Sequence, residues 1–217
     1  MKYERILLDI ETQRDFFSPD GSVYMPEADQ ALCNIYKLFS WARKNQVPVV
    51  STVLRVRRDR LGPMAPVPHC VEGSSGEEKL EKTILPNCIN LGLRNVTDLP
   101  EDLFERHPQV IFEKRATDIF AHSRAERLIT ELEGGTFIVC GAGLAQGIVE
   151  ATVGLRTRGF GVVLANDAVL GLGHPLVHMA CLRMEAKGVI FAPTEKIVVP
   201  VSRRPGVPFR STIETRK

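Results

Sequence analysis

The stretch FIVCGAGLAQGIVEATVGLRTRGFGVVLAND, Phe137 to Asp167, sets an apolar run before a glycine-rich turn, then a helical segment, then a second apolar run ending beside an acid. That order is a strand, a turn opening a helix, and a second strand, the unit from which helix-covered parallel sheets are built. The turn, with glycines at 141, 143 and 147, also fits a dinucleotide fingerprint, in which amides at a helix start hold a pyrophosphate and a later acid holds a ribose. Asn166 takes the best position for that acid and Asp167 lies one residue beyond it. Only about fifty residues follow Asp167, which weakens the dinucleotide reading without removing it.

Outward from this unit, β-branched apolar runs alternate with amphipathic stretches along most of the chain. The runs cover Arg5 to Ile10, Val47 to Leu54, Gln109 to Glu113, Thr136 to Cys140, Gly161 to Ala165, and either Gly188 to Phe191 or Lys196 to Val199. Helical patterns lie between them at Pro26 to Asn45, Ala121 to Glu133, Leu144 to Arg158 and Pro175 to Lys187. In the first, Ala31, Ile35, Leu38, Phe39 and Ala42 recur at three- and four-residue steps, so that stripe faces a sheet. The expected fold is a three-layer α/β/α sandwich around a doubly wound, mainly parallel six-stranded sheet.

One such domain spans residues 1–200 and breaks rhythm at 55–108, a proline-rich excursion with a polar SSGEEKLEK segment. Loops of that length over a compact α/β domain are commonly lids or binding loops. The tail 201–217 carries four arginines and a lysine without any period, and reads as an extended basic arm expected to pack on a neighbouring subunit or stay mobile, its charges most often solvated.

The balance of 28 basic against 26 acidic side chains, net +2 over 217 residues, gives no global field for nucleic acid or an anionic membrane. No apolar run approaches a bilayer-spanning length and the opening MKYERILLDI lacks a signal-peptide layout, so a cytoplasmic protein is expected. Five cysteines, at 33, 70, 88, 140 and 181, have no CxxC spacing, which argues against a disulfide framework or a structural zinc.

Ligands of open parallel sheets bind beyond the carboxyl ends of the strands, so residues that follow each run carry the chemistry. The first run leads into LLDIETQRDFF, with Asp9, Glu11, Gln13 and Asp15 in succession; the third presents Glu113 and Lys114; the fourth opens the glycine turn. An acid after a strand is often only a cap and a lone lysine only a surface charge. Acid, lysine and turn amides at three strand ends together make an acid/base site with an oxyanion-binding turn.

These residues resemble the isochorismatase-like hydrolases, which include the nicotinamidases and related small amidases. LLDIETQRDFFSPDGSVYMPEA is similar to the family's opening strand and aspartate-x-glutamine-x-aspartate-phenylalanine motif, and PHCVEGSSGEE to its Pro-His-Cys-Val segment. EKRATDIF resembles the loop of the family lysine, the quoted glycine stretch the start of the nucleophile helix, and HMACLRMEAKGVIFAPTEKI the closing helix and strand. The resemblance implies a cysteine thiolate that attacks an amide or similar carbonyl, an aspartate base and a charge-stabilising lysine.

Carried over residue by residue, Lys114 is retained and Glu11 takes the acid position with one more methylene. Asp9, two residues earlier, could share its face by strand alternation. The cysteine position falls on Gly147 by the glycine spacing or on Ile148 by the VEAT segment, because the turn holds one extra residue. Cys140 lies seven residues too early and Thr152 more than a turn too late to replace it. Of the implied metal ligands His69 remains, while Leu54 and Val56 take the other places, so neither metal nor cofactor is expected.

The resulting expectation is a protein of hydrolase ancestry that binds a small ligand or a partner without turnover. Glu11 and Lys114 would be remnants of the triad, and Asp9, Gln13, Phe16, Gly143 and Leu144 would line the pocket. A water activated by Glu11 or Asp9, with Lys114 assisting, is the alternative, and dinucleotide binding a weaker one. A homo-oligomer, dimer or tetramer, is expected, with no nucleic acid or membrane partner.

Overall fold

The computed structural model describes residues 3–60, 67–171 and 176–199. Seven strands form one all-parallel sheet: β1 Arg5–Ile10, β2 Val49–Leu54, β3 Ile89–Asn90, β4 Gln109–Lys114, β5 Thr136–Gly141, β6 Gly161–Val169 and β7 Ile190–Ala192. Their spatial order is β3-β4-β2-β1-β5-β6-β7. The helices are α1 Arg14–Phe17, α2 Ala28–Asn45, α3 Leu103–Arg106, α4 Ser123–Glu131, α5 Val149–Thr157, α6 Val177–Ala186 and α7 Thr194–Ile197.

The sheet has seven strands rather than the expected six. The added β3 is two residues long and pairs with Val110 and Ile111 at the sheet edge, too short for any periodicity to reveal. At the far edge the last strand is Ile190–Ala192, and Lys196 and Ile197 belong to α7 instead of a strand. The basic arm at 201–217 lies outside the described residues.

Both faces of the sheet are covered, as the buried β-branched strands require. On one face the α2 stripe packs with Leu7, Val49, Ile138 and Ala165, and Ile197 of α7 joins it. On the other, Ala125, Leu128 and Ile129 of α4, Ala151 and Leu155 of α5, and Ala180 and Met184 of α6 pack on Ile6, Leu8, Phe112 and Val139. Each valine, leucine, isoleucine, phenylalanine or methionine among them stabilises the fold by about 1.5–3 kcal/mol on burial. Among the described residues no helix is long and apolar enough to cross a membrane.

This strand order fixes where a ligand can enter. From β1 the chain builds outward on one side through β2 and β4, then returns to β5 and builds the other side, so the winding reverses between β1 and β5. Their carboxyl ends are in register, Ile10 beside Gly141, and the crevice beyond such a switch point is the binding position of open α/β sheets. The excursion is tied over these ends by an antiparallel bridge from Gln13 to Lys79 and a parallel one from Val56 to Val71.

Candidate active site

Glu11 follows the last residue of β1 and has a φ of 52°, a left-handed conformation uncommon outside glycine that flags a constrained position. Its amide donates to Thr52 O and its carbonyl accepts from Gln13 N, so the reversal is locked from both sides. The turn breaks the two-residue alternation of the strand, and Glu11 departs from the face of Asp9. The expectation that the two acids share a face is therefore corrected: each is paired with its own lysine.

The first pair joins Lys114, the last residue of β4, to Glu11 Oε1 in a buried ion pair, both side chains only 2–3% exposed. Lys114 Nζ also donates to the carbonyls of Ala116 at 3.0 Å and Thr117 at 2.7 Å, so its three hydrogens each have an oxygen. Across the carboxylate stands Gly147: a β-carbon there would lie 3.2 Å from Glu11 Oε1, 3.3 Å from Ile10 Cγ2 and 3.3 Å from Thr117 O. Ile148 points instead into the core and is fully buried there. The position that faces the acid and the lysine is thus Gly147.

The extra residue that the resemblance implies in this turn would have a structural place as well. Leu144–Ile148 forms a π-helical turn, with Ile148 N donating to Gly143 O at 3.1 Å, before α5 begins. Such a turn absorbs one inserted residue without shifting the helix on either side, and π turns of this kind are frequent at functional sites. Gly143 has a φ of 75°, and a β-carbon on it would stand 3.7 Å from Glu11 Oε2.

The second pair joins Asp9 and Lys79. Asp9 Oδ2 accepts from Lys79 Nζ at 2.5 Å, Ser51 Oγ at 2.8 Å and Thr12 Oγ1 at 3.2 Å. Gln109 Nε2 continues the chain to Ser51 Oγ and Thr83 O, and Thr83 meets Thr12 at 3.0 Å. Sequence reading missed Lys79 altogether, because GEEKLEK carries the composition of a solvated surface and nothing in it marks which lysine turns inward. The network pins the excursion to the ends of β1, β2 and β4.

Gln13 and Asp15 are also buried in supporting roles. Gln13 bonds both Leu54 N and Leu54 O, and donates to Glu77 O as well. Asp15 accepts from Cys70 N at 2.5 Å and Ser22 N at 3.0 Å. Phe16 is half-buried with its ring edge-on to His69, 5.3 Å between centroids, and Leu144 is buried in the core. Burial pushes the Cys70 thiol well up, and the nearby Glu11 and Asp15 carboxylates push it further against Lys114 and Arg55. Cys140 is raised too, by full burial first and then by Asp9, so both thiols resist ionisation. Thr152 spends its hydroxyl on Ile148 O and Val149 O of its own helix.

The residues that could hold a metal do not fit one. His69 Nδ1 bonds Val67 O, Leu54 is buried in β2, and Val56 is bridged to Val71. Among the described residues no three His, Cys, Asp or Glu side chains converge. A different set occupies that rim: Arg55 bridges Glu77 at 2.6 Å and Glu113 at 2.9 Å, and Arg115 pairs with Glu72 at 3.0 Å. Beside it a cleft of about 330 Å3 opens, lined by Leu93, Glu113, Lys114, Ala116, Ala121 and His122.

The features of a dinucleotide site serve other ends in this fold. A β-carbon on Gly141, at φ 121°, would lie 1.9 Å from Ile10 O, so this glycine permits close packing of β5 on β1. Leu144 N is spent on Leu170 O, and Asp167 Oδ1 accepts from Thr194 N and Oγ1 at the start of α7.

No curated protein sequence matches this chain. Residues 94–196, just under half of it, match the family model described as Isochorismatase domain. The fold is that of several solved structures. Nicotinamidase from Bacillus subtilis is 19% identical with a TM-score of 0.65, over 88% of this chain and 99% of that one. Pyrazinamidase of Pyrococcus horikoshii, solved in complex with zinc, is 22% identical at 0.64, over 88% and 99%. N-carbamoylsarcosine amidase from Thermoplasma acidophilum is 16% identical at 0.63, over 89% and 98%. The chain thus matches the Isochorismatase domain model over residues 94–196 and shares its fold with these amidase structures.

Proposed function

We propose that this protein descends from small-molecule amidases and binds a small ligand, or a partner, in the inherited pocket without covalent turnover. The observation that carries the reading is the glycine at 147, which supplies no nucleophile where Glu11 and Lys114 meet. Cysteine hydrolysis needs a thiolate within reach of a base and an oxyanion site. Cys70, whose thiol feels Glu11 and Lys114, and Cys140, whose thiol feels Asp9 and Lys79, are both buried and pushed upward in pKa. The cleft beside Lys114 has the volume of a small-ligand site.

Water-based hydrolysis is the second reading, favoured by one feature. Among the described residues Lys114 is the hydrogen-bond donor to Glu11, and it uses Oε1, leaving Oε2 to orient a water. Asp9 offers the same feature: Lys79, Ser51 and Thr12 all hold its Oδ2, and among the described residues its buried Oδ1 has no partner. A screen of amides and esters separates the two: the proposal expects no turnover that depends on this site. Hydrolysis abolished by both Lys114→Ala and Glu11→Gln would overturn it.

A homo-oligomer is proposed from Met179 and Leu182, exposed on α6, and Ile190, exposed on the edge strand β7. Sedimentation that gives a monomer at micromolar concentration would remove it.

A further inference from the structure

Two departures from the family pattern meet at one point: an acid longer by one methylene at Glu11, and a glycine at 147. We infer that they are a single exchange, in which the Glu11 carboxylate stands in the volume that a nucleophile on residue 147 would need. The inference rests on the placement of residue 147 proposed above, and it goes further, since it says the site lacks room for a thiol as well as the thiol itself.

The constraint is steric. A β-carbon on Gly147 meets three atoms at 3.2–3.3 Å, tighter than ordinary van der Waals contact, and a sulfur would extend one bond beyond it. Two of the three are held in place. Ile10 Cγ2 belongs to a fully buried core residue, and Thr117 O is held by Lys114 Nζ at 2.7 Å. The third, Glu11 Oε1, ends the longest and most rotatable side chain of the set, and its withdrawal draws it away from Lys114. Shortening the acid by one methylene draws the carboxylate back toward β1 and opens the space.

Restoring the cysteine alone therefore strains the protein, and restoring both residues relieves it. The test is a cycle of Gly147→Cys, Glu11→Asp and the double substitution, read by urea denaturation and by peptide-resolved mass spectrometry of iodoacetamide labelling at position 147. Gly147→Cys is expected to lower the unfolding midpoint, and the added Glu11→Asp to recover part of the loss. The introduced thiol is expected to label on the order of tenfold faster in the double variant, where Lys114 is freed to stabilise the thiolate. Where Gly147→Cys fails to fold, Gly147→Ala with and without Glu11→Asp completes the stability cycle.

Additive effects, with equal labelling in both backgrounds, would overturn the exchange. Turnover by the unaltered protein would instead sink the proposed function and leave the cycle untouched, so the two failures are distinct.

Discussion

Gly147 faces Glu11 across the end of the β1–β5 crevice, and the carboxylate oxygen nearest to a β-carbon at 147 is the one that accepts from Lys114. Three positions at or after the ends of three separate strands therefore converge, and the one at 147 has no side chain. The acid and lysine satisfy each other in its absence.

That mutual satisfaction makes the pair structural. Removal of one partner from a buried ion pair leaves an uncompensated charge, at a cost of about 3–5 kcal/mol. Lys114→Met should destabilise the fold by about that much, and Glu11→Gln by somewhat less because the amide still accepts from the ammonium. The double variant should cost less than the sum, as measured by urea denaturation. Additive losses would show that the two charges do not depend on each other.

The Asp9–Lys79 pair should act on the excursion more than on the sheet. Lys79 and Thr83 belong to the excursion, while Asp9, Ser51 and Gln109 lie in β1, β2 and β4. Lys79→Met leaves Asp9 buried without its cation and should cost about 3–5 kcal/mol. Limited proteolysis should then cut within residues 67–85 faster than in the unaltered protein. Unchanged protection there would mean that the excursion is held by other contacts.

His122 gives the fold a pH dependence of definite sign. Burial holds its imidazole below the usual range and Arg124 adds to the effect, against the Gly92 carbonyl, which accepts from Nε2 at 3.2 Å. Among the described residues its Nδ1 is buried without a partner, so a second proton there would be unpaired. The unfolded state, with a pKa of about 6.5, binds the proton more readily. The stability from neutral His122 is thus fully present above that value and is lost as pH falls below it. Unfolding midpoints from pH 7.5 to 5.5 should decline less steeply in His122→Asn than in the parent.

Most of the layered fold could be read from periodicity, because alternation of apolar runs with 3.6-period stripes reports burial directly. The α2 stripe of Ala31, Ile35, Leu38, Phe39 and Ala42 is buried as its spacing implies. What escaped was short or depended on distant contacts. Strand β3 has two residues, and Lys79 became buried only because the excursion folds back onto β1. Glu11 parts from Asp9 because it is itself left-handed, which strand alternation cannot foresee. Periodicity was equally silent on Gly147 against Ile148, a choice that rested on which side chain faces Glu11.

The claim that this site has no covalent nucleophile is tested most directly by intact-protein and peptide mass spectrometry after rapid mixing with an activated ester such as p-nitrophenyl acetate. The account predicts that any acylation falls on exposed groups such as Cys33 and is unchanged by Lys114→Ala. An acyl adduct on Cys70 or another residue of the Glu11–Lys114 site, or on Cys140, that disappears in Lys114→Ala would contradict it.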